Sequence, residues 1–173
     1  MRGERIKKLK LITKILETNG FRNPFQIMCD SEFLKKIDSI ENVLNIIIKL
    51  FNHYPKFIVS QCEFNTYKIT NTKFKHNSLS GHCEIIKCDC GNQNTCIINN
   101  KLIKSNNKHH YILATNTPSY IKHYRELGIP LLLIKKNIPY IDPGKLKLQK
   151  CNPNGKKATS TELKKLEKMF DID

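Results

Sequence analysis

The sequence predicts an α/β fold, a parallel sheet sandwiched by helices with a small metal-binding finger set into it. Three observations lead there. Between residues 21 and 143 short apolar runs alternate with segments of helical spacing, the pattern of strands joined by crossover helices. Four of the seven cysteines, Cys83, Cys88, Cys90 and Cys96, fall within fourteen residues. The chain has 173 residues, long enough for one domain with a proper core and too short for two ordinary domains with linkers.

The chain opens on Arg2, Arg5, Lys7, Lys8, Lys10 and Lys14 against Glu4 alone, interleaved with Ile6, Leu9, Leu11, Ile12 and Ile15. This reads as a basic amphipathic helix over residues 1–20 that ends at Asn19-Gly20. Such a helix lies along a phosphate backbone or docks its apolar stripe with the lysines facing out. The scarcity of acids favours backbone contact, because a merely solvated face mixes both signs.

After Pro24, residues 25–29 form a short apolar run followed at once by Asp30-Ser31, a buried strand turning into a helix. Asp30 therefore stands at the C-terminal edge of a strand, where open α/β sheets bind ligands. It is either a metal ligand or the N-cap of the next helix. Ile40, Val43, Leu44, Ile47, Ile48 and Leu50 recur at helical spacing across 38–52, and 57–60 reads as a second buried strand set off by Pro55. A short helix over 61–70 and a polar basic loop over 72–80, with Lys73, Lys75 and His76, precede the cysteines.

Beyond them, residues 96–98 and 110–114 flank a polar loop at 105–108. Thr115-Asn-Thr-Pro118 is a turn with proline set for the first turn of a helix that runs to Leu127 and stops at Gly128. Residues 130–134 are a third buried strand, with 138–141 pairing beside it. A Lys-rich tail runs over 144–157; Thr159 and Glu162 then stand at capping-box spacing before Leu163, Leu166, Met169 and Phe170, a terminal helix with one apolar stripe.

Thiolates about 2.3 Å from the metal are the commonest donors at structural zinc, which takes four in a tetrahedron. Cys83, Cys88, Cys90 and Cys96 supply such a set, although one residue between Cys88 and Cys90 is tighter than the usual two to four. Gly91 lets the chain double back. Lys87, Asp89, Asn92, Gln93 and Asn94 make a buried apolar slot for these thiols a poor alternative. The odd cysteine count, with no signal-peptide pattern and no apolar run near the length of a membrane span, leads to the expectation of a soluble intracellular protein with reduced thiols.

Thirty Lys and Arg against fifteen Asp and Glu give a formal charge of +15. A polyanion partner, naturally a nucleic acid, offsets the self-repulsion of such a chain. The alternative is a Lys-, Asn- and Ile-rich composition of genomic origin, and local clustering separates the two better than the total does.

Several stretches together resemble the PIN-domain rRNA-processing family of U-three-protein twenty-three (Utp twenty-three), with Fcf one as its sister family. They are Met1-Arg2-Gly3, Phe21-Arg-Asn-Pro-Phe-Gln-Ile27 leading into Asp30, Ser60-Gln-Cys62, the cysteine cluster, His109-His-Tyr-Ile-Leu-Ala-Thr115 and Gly128-Ile-Pro-Leu-Leu132. The resemblance implies a degenerate PIN-like domain over 21–143 with a zinc finger at 83–96, between the basic helix of 1–20 and the basic tail and terminal helix of 144–173. The family finger is Cys-Cys-His-Cys, and by position its third ligand falls on Cys90, which makes this chain a four-thiolate version.

Active PIN domains gather several carboxylates around divalent metal. The resemblance matches only Asp30 to that set, with Thr66, Asn116, Thr117 and Ser119 where other acids would stand and Glu63 facing elsewhere on its helix. It therefore implies a vestigial Asp30, no nuclease activity and a non-catalytic RNA-binding factor of the small-subunit processome. Its RNA contacts are expected from Arg2, Arg5, Lys7, Lys8, Lys10, Lys14, Lys73, Lys75 and Lys87, and its partners are small nucleolar RNA, pre-rRNA and other small-subunit assembly factors. Such a protein acts in the nucleolus as a monomer within a large particle, away from membranes. The competing readings are a residual metal-dependent ribonuclease using Asp30, Glu63 and Glu126, and a protein-interaction adaptor using the apolar stripe of the last helix. Whether His76 or His82 joins the metal is left open by the spacing.

Overall fold

The computed structural model describes residues 2–70, 79–88, 90, 96 and 106–148, with the side chains of residues 2–6 excepted. Six strands form one sheet in the order β3-β2-β1-β4-β5-β6, made from β1 (Gln26–Cys29), β2 (Lys56–Ser60), β3 (Glu84–Ile86), β4 (Ile112–Ala114), β5 (Leu131–Lys135) and β6 (Ile138–Asp142). Every pairing is parallel except β5 with β6. Those two form a hairpin through Lys136 and Asn137, both at positive φ, as a tight two-residue turn that matches strand twist requires.

Side chains alternate along each strand and so build two cores. On one face Ile27, Cys29, Phe57, Val59, Ile112, Ala114 and Leu132 meet α1 (Arg2–Thr18), α2 (Ser31–Asp38), α3 (Val43–Phe51) and α4 (Gln61–Thr70). On the other, Met28, Ile58, Leu113, Leu131 and Leu133 pack with Tyr124 of α5 (Pro118–Glu126). Burial on both faces explains why these strands read as continuous apolar runs rather than alternating ones.

Helix α1 buries Ile12 and Leu16, with Leu9 half-buried against the same core, a stripe at spacing three and four. It closes where the sequence predicts. Gly20 takes φ +90°, and the Phe21 N–H reaches back to the Leu16 carbonyl at 3.1 Å, a left-handed C-terminal cap. The left-handed φ is what favours glycine there; a Cβ would come within 2.7 Å of His110 Nε2, the far end of a side chain that can turn aside.

The helix expected over 38–52 differs. Helix α2 ends at Asp38, and α3 begins only at Val43 after a left-handed Asn42. The Asp38 carboxylate is engaged, accepting from Tyr67 Oη at 2.6 Å and from the Ser80 N–H at 3.4 Å, so it anchors a short 3₁₀ turn (Leu79–His82) to α2 and α4 instead of starting a helix. The expected tail and terminal helix beyond residue 148, and the loops that carry Lys73, Lys75 and residues 97–105, lie outside the described residues.

Candidate functional site

Three parallel strands, β1, β2 and β4, end side by side, and the residues just past their C-terminal ends converge. Asp30 follows β1, Gln61-Cys62-Glu63 follow β2, and Thr115-Asn116-Thr117 follow β4. Two adjoining features are built there, and Cys62 belongs to both.

The first is a thiol cluster. The Sγ atoms of Cys62, Cys88, Cys90 and Cys96 all lie within 4.8 Å of one another. Cys90 Sγ is 3.1 Å from Cys88 Sγ and 3.7 Å from Cys96 Sγ. Four thiolates around a tetrahedral zinc stand about 3.8 Å apart, which follows from Zn–S bonds of about 2.3 Å, so this donor set fits one such ion. The backbone N–H of Cys62 donates to Cys88 Sγ at 3.4 Å. Desolvation raises the Cys88 thiol, but hydrogen bonds from Cys90 and from the Cys62 backbone outweigh it and lower its pKa to about 7. Burial raises that of Cys62.

Cys83, expected as the first ligand, is not in this group. Strand register gives the reason. Ser60 pairs with Ile86 in the parallel β2–β3 ladder, so two residues further along each chain Cys62 and Cys88 emerge together at the same sheet edge. Cys83 sits before β3, at its opposite end, and a strand advances roughly 3.3 Å per residue, which carries it out of reach. Its thiol instead donates to the Leu79 carbonyl at 3.4 Å and packs against the main core. Neither is His82 in the group; His76 lies outside the described residues.

The second feature is an acidic cavity of 370 Å³ with Asp30, Glu63, Thr66, Thr117 and Tyr120 in its wall. Asp30 resolves both alternatives raised by its position. It is the N-cap of α2, with Oδ1 accepting the Phe33 N–H at 2.6 Å, and it also faces the cavity. Its Oδ2 is sealed from solvent, and the Thr115 hydroxyl lies beside the carboxylate. Burial raises its pKa to about 7; the Thr115 hydroxyl and the Phe33 N–H pull the other way, and the charges of Glu63 and Glu32 add to the rise.

Glu63, expected to face elsewhere, points to this cavity. It is only 9% exposed, and its Oε2 accepts the Ser31 N–H at 3.0 Å. Glu126 does not approach. It lies exposed at the far end of α5 from Pro118, about 12 Å along the helix at 1.5 Å per residue. Asn116 Oδ1 accepts the Ile134 N–H at 3.0 Å.

Of the expected RNA-contacting lysines, Lys7, Lys8, Lys10 and Lys14 are exposed on α1 and Lys87 is exposed just after β3. The side chains of Arg2 and Arg5, and Lys73 and Lys75 entirely, lie outside the described residues. The spacing argument missed Cys62 and Glu63 because both are remote in sequence from their partners. The signal that would have found them is the one that singled out Asp30, a polar or thiol residue immediately after a buried strand.

Comparison with known proteins agrees with this geometry. A solved structure titled as the PIN domain endonuclease Utp24 superposes with a TM-score of 0.59 at 13% identity, over 76% of this chain and all of its own, which establishes a PIN-like fold. The rRNA-processing protein utp23 of Schizosaccharomyces pombe (strain 972 / ATCC 24843) is 26% identical over 155 residues, 80% of this chain. This chain spans 58% of that relative's length. The model of the Fcf1 family matches residues 49–143, more than half of the chain and a span that runs from α3 through the cavity wall and the thiol cluster to the end of the sheet. This chain is therefore a member of the Fcf1 family.

Proposed function

We propose that this protein is a non-catalytic, RNA-binding ribosome assembly factor that acts in pre-rRNA processing within the small-subunit processome. The match along 80% of the chain to an rRNA-processing relative carries this reading. Its placement in the nucleus and nucleolus follows from it, as do its partners: small nucleolar RNA, pre-rRNA and other assembly factors. The charge distribution supports RNA contact. Helix α1 turns its apolar stripe inward, leaving Lys7, Lys8, Lys10 and Lys14 on its solvent side. These lysines, with Arg2, Arg5, Lys73, Lys75 and Lys87, bind phosphates, and affinity falls steeply with salt.

Cys62, Cys88, Cys90 and Cys96 hold a structural zinc ion. When bound, that ion supplies a cross-link between the start of α4 and the segment after β3, with no open position for chemistry. Phosphodiester hydrolysis by paired metal ions needs more carboxylates than Asp30 and Glu63, each of which already gives an oxygen to a backbone N–H. A residual metal-dependent endoribonuclease is the second reading, favoured by the single observation that Glu63 joins Asp30 in one cavity.

Ultraviolet crosslinking of the tagged protein in cells, followed by sequencing of the bound RNA, tests the assembly role. Enrichment of small nucleolar RNA and small-subunit pre-rRNA is expected, while scattered messages or background alone would refute it. Cleavage of a pre-rRNA fragment with Mg²⁺ or Mn²⁺, lost in Asp30→Asn, would promote the second reading.

A further inference from the structure

The last residue of β2 is a serine where packing alone would favour an apolar side chain. In the run Phe57-Ile58-Val59-Ser60 every residue is buried, and Ser60 is 0% exposed. It stands on the same strand face as Ile58, which packs in the apolar core beside Tyr124. A hydroxyl placed there costs stability unless it finds a hydrogen-bond partner. Its Oγ lies 3.4 Å from Cys62 Sγ, and among the described residues that sulfur is the partner it has.

We propose that Ser60 is a positioning residue for the metal centre: its hydroxyl donates to the Cys62 thiolate, aims that sulfur at the other three and raises the affinity for zinc. The proposal rests on the assignment of zinc to Cys62, Cys88, Cys90 and Cys96. The direction of the hydrogen bond follows from the donor set. A cysteine bound to zinc has given up its proton, so Cys62 Sγ can only accept, and the single proton of the serine points to it. Cys62 is also the ligand that most needs such a hold. The other three fall within nine residues of one another, whereas Cys62 comes twenty-six residues before Cys88.

The backbone N–H of Cys62 donates in turn to Cys88 Sγ at 3.4 Å. The turn from β2 into α4 thus delivers one ligand and two hydrogen bonds to two different sulfurs. Four thiolates carry more negative charge than a divalent ion cancels, and donors to the sulfurs stabilise the excess. The hydroxyl is held by the sheet rather than by a loop. Ser60 pairs with Ile86 in the β2–β3 ladder, the same register that brings Cys88 alongside Cys62.

The test uses the full chain, Ser60→Ala and Ser60→Thr under reducing conditions. Three quantities are read: zinc affinity by competition with a chromogenic chelator, the optical spectrum of the Co²⁺-loaded protein, and the thermal midpoint of the metal-free chain. In Ser60→Ala zinc affinity should fall about tenfold or more, while the metal-free midpoint stays close to that of the parent. Its sulfur-to-cobalt charge-transfer band should move to longer wavelength, because a thiolate that loses a hydrogen bond gives up its electrons more readily. Ser60→Thr keeps the hydroxyl and should hold the band where the parent has it. An unmoved band in Ser60→Ala, or the same shift in both variants, overturns the proposal and leaves the zinc assignment standing. A loss of affinity matched by an equal loss of metal-free stability also overturns it, since Ser60 would then be a packing residue. A parent chain that takes up neither zinc nor cobalt overturns both the proposal and the assignment.

Discussion

At the scale of single residues, Asp30 buries one oxygen against the Phe33 N–H and seals the other from solvent. A carboxyl whose pKa is raised to about 7 on folding binds more protons folded than unfolded between about pH 4 and pH 7, so stability falls as pH rises through that window. Asp30→Asn removes the titration while keeping the cap. The variant should match the parent near pH 4 and exceed it at pH 8 by about 1–3 kcal/mol, as denaturant titration at the two pH values would reveal. Equal stability at both would show that Asp30 ionises in the folded state without penalty.

The cysteines separate at the same scale. Cys62→Ser should cost the protein its zinc, read as metal per chain by inductively coupled plasma mass spectrometry. Cys83→Ser should retain a full equivalent and lose only about 1 kcal/mol of packing, since its thiol touches the Leu79 carbonyl and the core rather than the cluster.

At the scale of elements, α1 divides its labour by face. Ile12 and Leu16 are buried, and Lys7, Lys8, Lys10 and Lys14 are exposed. Replacing these four lysines by glutamate should leave the thermal midpoint nearly unchanged, because exposed charges contribute little to folding. RNA affinity should fall, and the log–log salt slope should shrink by roughly 3, close to one ion per lost phosphate contact. Filter binding at three ionic strengths is sufficient, and an unchanged slope would put the contacts elsewhere. Element boundaries were legible wherever a local rule set them: Asn19-Gly20 closed α1, Pro118 opened α5, and Gly128 at φ +76° followed its end. The start of α3 was not legible, because Asp38 is held by Tyr67 and Ser80, partners twenty-nine and forty-two residues away.

For the whole molecule, the thiol cluster ties the start of α4 to the segment that follows β3, beside the parallel β2–β3 pairing. An ion that binds only the folded state stabilises it by an amount that grows with the logarithm of the free ion concentration over its dissociation constant. Chelation should therefore lower the thermal midpoint by about 5 °C or more, with recovery on adding zinc. Differential scanning calorimetry with and without chelator checks this, and an unmoved midpoint would mean that the thiols carry no structural ion.

The sequence by itself determined the alternation of buried strands and helices, the position of Asp30 at a strand end, the basic face of α1 and three of the four clustered thiols, because each depends on residues close in the chain or on their periodicity. Only the tertiary structure decided which fourth cysteine completes the cluster and that Glu63 turns toward Asp30. Both follow from parallel strands lying side by side, a pairing that brings Cys62 to Cys88 and Glu63 to Ser31 across intervals of twenty-six and thirty-two residues. Spacing along the chain carries no record of that register; hydrogen bonding between neighbouring strands sets it.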